Sequence, residues 1–280
     1  MTSTILKWRF ALVALGALLV ISAVRLGAIT FGLVDTANNF ANTGAFIVKS
    51  PSTGQIFPIC SGTLISPTVF LTASHCTIFF QSSLAPQGFT AFVSFDNPIP
   101  FGNLTSISTT LIPAVAVTNP AYNQTQSDPA DIAVLLLPAG ATAGITPATL
   151  PTLHLLDQLA AKNGLKKRIL TAVGYGIQNR VVGGGVPFFQ DVNPIPRMYA
   201  FSSFEALTPG YLRLSQNPAT GNGGTCFGDS GGPDFLNVEG SPILVAITIT
   251  GDSVCRSTNV DYRLDIPSAR SFLSSFVILP

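Results

Sequence analysis

Charged side chains are scarce in this sequence. They make up 10% of its 280 residues, against about 25% in an average globular protein. Lys and Arg form no basic stripe, the formal net charge is only +1, and no glycine-rich phosphate loop follows an apolar strand pattern. Electrostatics therefore gives no argument for a nucleic-acid partner, and we expect none. Gly and Pro are scattered along the chain, which is typical of a loop-rich β protein.

The apolar run near the N-terminus is too short to cross a membrane. It covers residues 11–24, which is 14 residues, whereas a spanning helix needs about 20. Lys7 and Arg9 precede it, and a basic start with a short apolar core predicts a secretory signal, cleaved after Ala23 or Ala28. An uncleaved anchor is the alternative. We expect a secreted, extracellular protein that has no membrane contact once the signal is removed.

Cysteines are few, and no CxxC motif occurs among them. An exported chain keeps disulfides, and several connectivities are possible for four cysteines. The simplest joins neighbours in the sequence, Cys60 with Cys76 and Cys226 with Cys255. A zinc site is the alternative, which the missing CxxC disfavours. We therefore expect no metal site at these cysteines, and the serine-based chemistry considered below implies neither a metal nor an organic cofactor.

Short segments with alternating apolar residues recur along the chain and predict an all-β protein. These segments are residues 44–50, 62–74, 89–96, 107–117, 131–138, 168–176, 197–207, 211–216, 242–251 and 260–266. Residues 153–165 divide them and predict a short helix or a long connection. The pattern predicts two antiparallel barrels, about 29–150 and 166–280, joined by a linker at about 151–165. Apolar residues at helical spacing after Pro267 predict a C-terminal amphipathic helix.

The stretch CFGDSGGP, residues 226–233, surrounds one serine with glycines. Glycine allows backbone conformations that other residues rarely reach and lets another molecule approach closely. The Ser230 hydroxyl is then accessible, and the amides of Gly228 and Ser230 can point together at a developing oxyanion. A plain hairpin turn is the alternative. The presence of a histidine and a carboxylate suited to activating a serine favours the catalytic interpretation.

Only two histidines are available as the base that a serine nucleophile needs. His75 follows an apolar strand and precedes Cys76, whose disulfide would hold its backbone in place. We therefore predict that His75 is the general base. His154 lies in the linker, and we interpret it as a surface residue.

A carboxylate is needed to orient the base. Asp131 begins an almost wholly apolar strand, so its carboxylate is expected to be half-buried and to need a partner. Asp128 is the alternative, but the residues after Asp131 carry that side chain toward the core.

Three motifs together resemble those of the chymotrypsin-like (trypsin-fold) serine endopeptidases: LTASHC at 71–76, DIAVLLL at 131–137 and GDSGGP at 228–233. The sequence AVGYG at 172–176 also resembles the family's strand after the interdomain link. The resemblance runs from about residue 29 to the C-terminus and implies two six-stranded antiparallel barrels with a C-terminal helix. It implies a peptidase domain over 29–280 with the triad His75, Asp131 and Ser230. It also implies the two disulfides between sequence neighbours and a protein or peptide substrate, and we expect a monomer.

The resemblance implies a specificity pocket as well. Its lining would be Gly224, Thr225, Gly251 and Val260, with uncharged Gly224 at the base. An apolar or small residue is therefore expected before the scissile bond. A one-residue shift in the alignment would place Asp261 inside the pocket and favour basic substrates instead.

The resemblance further implies that Asp229 pairs with a freed N-terminal amine, and Ile29 is the candidate if the leader is cut after Ala28. The usual IVGG start is absent, and so is the family's Ser-Trp-Gly before the pocket. These departures keep a second hypothesis open, a non-catalytic binding protein on the same fold. An esterase is disfavoured because Asp229-Ser230-Gly231 does not fit G-x-S-x-G and His75 precedes the serine.

Overall fold

The computed structural model describes residues 29–102, 108–176, 179–181, 188–190 and 193–280. The predicted signal segment, residues 1–28, lies outside the described residues. In the part that is described, no helix has the length and apolar character needed to pass through a bilayer.

Strands dominate the described part of the chain. They are β1 (Leu33–Val34), β2 (Thr43–Lys49), β3 (Ile56–Ser66), β4 (Val69–Thr72), β5 (Thr90–Ser94), β6 (Ile112–Pro113), β7 (Val115–Thr118), β8 (Ala133–Leu136), β9 (Ile169–Gly174), β10 (Asn179–Val181), β11 (Phe188–Gln190), β12 (Met198–Leu207), β13 (Tyr211–Ser215), β14 (Pro233–Val238), β15 (Ser241–Gly251) and β16 (Thr258–Arg263). The α-helices are α1 (Ser74–Phe79), α2 (Leu155–Ala161) and α3 (Pro267–Leu273).

The first barrel is an antiparallel sheet in the order β6-β5-β2-β3-β4-β8-β7. Its two outer strands, β6 and β7, are consecutive pieces of one segment interrupted at Ala114, whose amide bonds to the Ala91 carbonyl at 3.0 Å. One bent segment thus pairs with β5 at one end and with β8 at the other. The sheet is therefore nearly closed and has the shape of a six-stranded barrel.

The second barrel is closed. Its strands follow the order β12-β13-β16-β15-β14-β9, and β9 pairs with β12 to complete the circle. Strand β1 is added to the outside of β12, and β10 and β11 form a separate hairpin. The prediction of two six-stranded antiparallel barrels is confirmed, and a short C-terminal helix follows the second barrel.

An apolar cluster joins the two barrels. Ala45 and Ile47 of β2 pack with Ala172 of β9, Met198 of β12 and the fully buried Ile29. Because such a cluster excludes water along the seam, the two barrels are held against each other there. A cleft described below is lined by residues from both sides of the same seam.

A buried arginine next to this cluster also links the barrels. Arg197 is fully buried and donates from Nε to Asp35 Oδ2 at 2.9 Å. Its Nη1 donates to the carbonyl oxygens of Thr43 and Phe95 in the first barrel and to the Tyr175 hydroxyl in the second. A guanidinium has five N–H donors in a rigid plane, so a single side chain can hold several buried acceptors at once.

Candidate active site

The end of β4 places His75 at the seam. The strand stops at Thr72, and α1 begins at Ser74, so His75 lies in the first turn of the helix. The Ser74 hydroxyl donates to the Ile132 carbonyl at 2.7 Å, which joins this turn to the segment that carries Asp131. The Cys60–Cys76 disulfide joins the same turn to β3. Three neighbouring segments therefore fix the backbone of His75.

His75 and Asp131 make two hydrogen bonds. The His75 amide donates to Asp131 Oδ1, and His75 Nδ1 bonds to Asp131 Oδ2, each at 2.9 Å. The aspartate side chain is 5% exposed, whereas the imidazole is 26% exposed. A carboxylate at Nδ1 selects the tautomer with its proton on Nδ1, which leaves Nε2 as an acceptor facing the cleft.

Ser230 lies on a loop that packs against the first barrel. Its carbonyl accepts from the Ser61 amide at 2.9 Å, and the amide of the next residue, Gly231, donates to the Thr248 carbonyl at 2.7 Å. Gly231 has φ +78°, and a Cβ there would lie 2.2 Å from Thr72 Oγ1. Only glycine fits this conformation and this contact. The close approach brings the serine next to the end of β4, where His75 follows.

The three predicted triad residues meet at one cleft. His75 and Ser230 both line a cavity of about 440 Å³ between the barrels, and Asp131 lies behind His75. Ser230 Oγ makes no hydrogen bond to another residue in the described part of the chain. Contacts between a catalytic base and its nucleophile are often long without substrate, so the arrangement is compatible with proton transfer on substrate binding.

The loop before Ser230 forms a small cradle of amides. Gly228 has φ +95°, and a Cβ there would lie 2.9 Å from the Gly176 Cα. Its carbonyl accepts from the Ser61 hydroxyl at 3.0 Å, which fixes the orientation of this part of the loop. Within the described residues, neither the Gly228 amide nor the Ser230 amide donates to a protein acceptor. Both predicted oxyanion donors are thus available to a ligand.

Asp229 points away from the cleft into the second barrel. Its carboxylate is fully buried and accepts from the Cys226 amide at 2.9 Å and the Gly176 amide at 2.8 Å. Burial raises its pKa to about 7, although the two amides oppose this shift. Ile29, the predicted partner, lies in the cluster that contains Tyr175. In the described part of the chain, no cationic side chain forms an ion pair with Asp229.

The predicted pocket residues separate into two groups. Thr225 and Gly251 line the cleft, together with Thr250 and Asp252. Gly224 lies outside the cleft lining and forms an isolated bridge with Thr30. A Cβ on Gly224 would lie 2.3 Å from Gln216 Oε1, so the glutamine side chain fills the space beside it.

Val260, which the resemblance placed in the pocket, also lies outside the cleft lining. Asn259 and Asp261 are fully buried, while Val260 between them is partly exposed. Since side chains alternate along a strand, Asn259 and Asp261 share the inner face. The Thr225 hydroxyl donates to Asn259 Oδ1 at 2.6 Å, so Asn259 lies directly behind the cleft wall. Neither Val260 nor Asp261 is among the residues that line the cleft.

A buried pair of acids behind this wall was not predicted. Asp234 on β14 and Asp261 on β16 are both fully buried. The Thr248 hydroxyl donates to Asp234 Oδ2 at 3.4 Å. Burial raises the pKa of Asp234 to about 7, and burial together with the Asp234 charge raises the pKa of Asp261 well above its usual value. The sequence signal was an Asp inside two apolar strand patterns, PDFLNV and TNVDYR.

The structure forms both predicted disulfides, Cys60–Cys76 and Cys226–Cys255. Cys60, His75 and Cys76 lie close enough together to resemble a metal site. The sulfurs of Cys60 and Cys76 are bonded to each other, so neither cysteine can act as the thiolate ligand that zinc requires. His154 is 48% exposed and bonds to Asp157 at 3.0 Å, away from the cleft.

Two antiparallel barrels with a serine, a histidine and a buried aspartate at their seam define the chymotrypsin-like class of serine protease folds. A comparison with protein-family models matches residues 33–272 to the family described as Trypsin. The chain therefore belongs to the trypsin family. A comparison with curated proteins finds no match.

Proposed function

We propose that this protein is a secreted serine endopeptidase that hydrolyses peptide bonds through an acyl-enzyme. The observation that supports this most strongly is the pair of hydrogen bonds between His75 and Asp131 beside Ser230. The two unpaired amides of Gly228 and Ser230 add an oxyanion site. Protein or peptide substrates follow from the family, and we propose a monomer.

In the proposed mechanism, His75 Nε2 takes the proton of Ser230 as Oγ attacks the scissile carbonyl. The Gly228 and Ser230 amides stabilise the oxyanion, a contribution of about 3–4 kcal/mol per donor. His75 then protonates the leaving amine, and a water molecule, activated by the same imidazole, hydrolyses the acyl group. Asp131 keeps the imidazole in the required tautomer and stabilises its charged form.

We further propose a preference for a small or apolar residue before the scissile bond. Thr225 and Asn259 close the cleft floor with a hydrogen bond. Asp252 is the acid at the rim, but its carboxylate accepts from the amides of Arg256, Ser257 and Thr258. Asp261 lies behind Asn259 and is not part of the cleft lining. A panel of peptides that differ at this position tests the preference, and a strong preference for Arg or Lys would contradict it.

Activation by a freed Ile29 amine is also proposed. Thr30 donates to the carbonyl oxygens of Gly224 and Cys255, which places the start of the domain beside the loop that precedes Ser230. The buried Asp229 carboxylate has no cation among the described residues, and an ammonium would supply one. Sequencing the N-terminus of the secreted protein decides this, because a start well upstream of Ile29 would count against it.

Burst kinetics test the enzymatic function against the alternative of a non-catalytic binder. With a nitrophenyl ester, acylation of Ser230 releases nitrophenol in an amount equal to the enzyme before slower turnover begins. We expect this burst from the processed protein and none from Ser230→Ala. A processed protein that folds, binds peptide and gives no burst would support the binding protein instead.

A further inference from the structure

A cavity far from the active site lies at the start of β15. Ser241 and Pro242, at the start of the strand, line this cavity, whereas Thr248 near its end lines the active-site cleft. A strand rises about 3.3 Å per residue, so the two sites are about 20 Å apart. The volume is about 420 Å³, within the roughly 300–1,000 Å³ of typical ligand sites. We call it the polar cavity.

The described residues that line the polar cavity are all uncharged. Five of them carry an amide or hydroxyl side chain: Asn39, Asn42, Thr146, Thr149 and Ser241. In the described part of the chain, none of these five side chains makes a hydrogen bond. By contrast, the side chains of Asn97, Asn119 and Asn217 each bond to a backbone group. The polar groups of the cavity are therefore available to a ligand.

The backbone around the polar cavity is held in place by hydrogen bonds. The Asn42 carbonyl accepts from the Leu64 amide at 2.8 Å, and the Leu64 carbonyl accepts from the Ala148 amide at 2.8 Å. The Thr149 carbonyl accepts from the Leu244 amide at 2.9 Å. Because both barrels fix this backbone before a ligand arrives, binding has a small ordering cost.

Aromatic rings add an apolar surface to the polar cavity. Phe40, which is partly exposed, and Phe235, which is 6% exposed, both line it. Their ring centroids lie 6.0 Å apart with an interplanar angle of 25°. Phe40 also contacts the Tyr199 ring at 5.2 Å, so its position is fixed from a second direction. The cavity thus combines free hydrogen-bonding groups with a rigid apolar surface.

We propose that the polar cavity is a binding site for a short neutral saccharide. Each sugar hydroxyl both donates and accepts hydrogen bonds, as amide and hydroxyl side chains together do, and the C–H groups of a sugar ring pack against aromatic rings. This inference goes beyond the proposed peptidase function and does not depend on it.

Other classes of ligand fit the polar cavity less well. A charged ligand would lose hydration without gaining an oppositely charged partner, and a wholly apolar ligand would leave the five polar side chains without water or a replacement. An extended peptide that adds to a sheet needs free backbone groups. The backbone groups of Asn42, Ala148 and Thr149 described above are already engaged.

Calorimetric titration of the processed protein with neutral trisaccharides tests the proposal. The probes are maltotriose, cellotriose and triacetylchitotriose, each to about 10 mM, with trigalacturonate as the charged counterpart. We expect saturable binding of at least one neutral probe at one site per chain, and binding of trigalacturonate that is at least tenfold weaker.

Substitutions place the binding in the polar cavity. Asn42→Ala and Thr149→Val each remove side-chain hydrogen-bonding groups and should weaken binding of the neutral probe by about tenfold. Thr152→Val changes an exposed threonine of the same connecting segment that does not line the cavity, and it should bind as the unmodified protein does. Urea unfolding of all three variants checks that they are folded.

Three results would overturn the proposal: no saturable binding of any neutral probe, binding that neither Asn42→Ala nor Thr149→Val weakens, or tighter binding of trigalacturonate. Ser230→Ala should bind the neutral probe unchanged and give no nitrophenol burst. A protein that binds the saccharide without a burst would contradict only the peptidase function. A burst without saccharide binding would contradict only the polar cavity as a saccharide site.

Discussion

Two carboxylates close together in the sequence have different surroundings in the fold. Asp131 accepts both bonds from His75. Asp128 instead accepts from the Tyr262 hydroxyl and from Ser268 Oγ at the C-terminal helix. Their roles should differ accordingly, with Asp131 orienting the base and Asp128 holding α3 against the second barrel.

Asp131→Asn should lower kcat by about four orders of magnitude, because an amide cannot select the tautomer that leaves Nε2 free to accept the Ser230 proton. Hydrolysis of a peptide substrate measures the loss. Asp128→Asn is the matched control and should keep activity within about tenfold of the unmodified protein. Equal losses in both variants would mean that the triad carboxylate has been misassigned.

Among the strands, β14 and β16 carry the buried acid pair. The pKa of Asp234 is raised to about 7 by burial, and that of Asp261 is raised well above its usual value by burial and by the charge of Asp234. The folded protein therefore holds protons that the unfolded chain releases near pH 4. The free energy of unfolding should fall as pH rises from about 4 through about 7, by up to about 1.4 kcal/mol per pH unit for each group.

Asp261→Asn removes one of these protons, so the free energy of unfolding should decline less between pH 5 and pH 8. Urea unfolding at the two pH values measures it. Asp229, whose pKa is also raised to about 7, contributes equally to both proteins and cancels from the comparison. Glu239→Gln on the exposed turn after β14 is the control. If the free energy of unfolding falls as steeply with pH in Asp261→Asn as in the control, the raised pKa of Asp261 would be contradicted.

The disulfide between β3 and α1 is a second feature of these elements that should affect stability. Replacing Cys60 and Cys76 together by Ala should lower the free energy of unfolding by about 3 kcal/mol, because the bond closes a loop of sequence separation 16 in the unfolded chain. It should also reduce kcat, since His75 directly precedes Cys76. Chemical unfolding and peptide hydrolysis check both effects. Full stability without the bond would show that the loop is constrained by other contacts.

How far the sequence predicts these elements depends on their pattern. Alternating apolar residues predicted most of the barrel strands. The start of α3 at Pro267 was also predicted correctly. Strand β14 was not predicted because it follows the glycine-rich loop directly and carries Asp234 in its interior. Val260 was placed in the pocket by matching Tyr262 to the family's pocket tyrosine, whereas the strand turns Asn259 and Asp261 to its buried face. Partners remote in the sequence leave no local signal.

For the molecule as a whole, Arg197 should be a main link between the barrels. Arg197→Met is expected to lower the free energy of unfolding by about 3–5 kcal/mol, because Asp35 would remain as a buried, unpaired charge. Arg213→Met on the exposed face of β13 is the control and should change stability by no more than about 0.5 kcal/mol. Urea unfolding gives both values, and equal stability of the two variants would contradict this role.

The architecture of the whole molecule was predictable from three motifs, since each is short and carries residues whose chemistry is specific. The pocket was less predictable because its floor depends on the register of β16 and on the side chain of Gln216, which occupies the space beside Gly224. Neither feature is encoded near the motif that contains Ser230.

The central claim is that His75 and Asp131 make Ser230 a nucleophile. Labelling with a fluorophosphonate, followed by peptide mapping, tests it most directly, because the reagent phosphonylates only an activated serine. The account predicts one label per processed protein, on Ser230, and loss of labelling in His75→Ala. A processed, folded protein that stays unlabelled, or one labelled elsewhere, would contradict it.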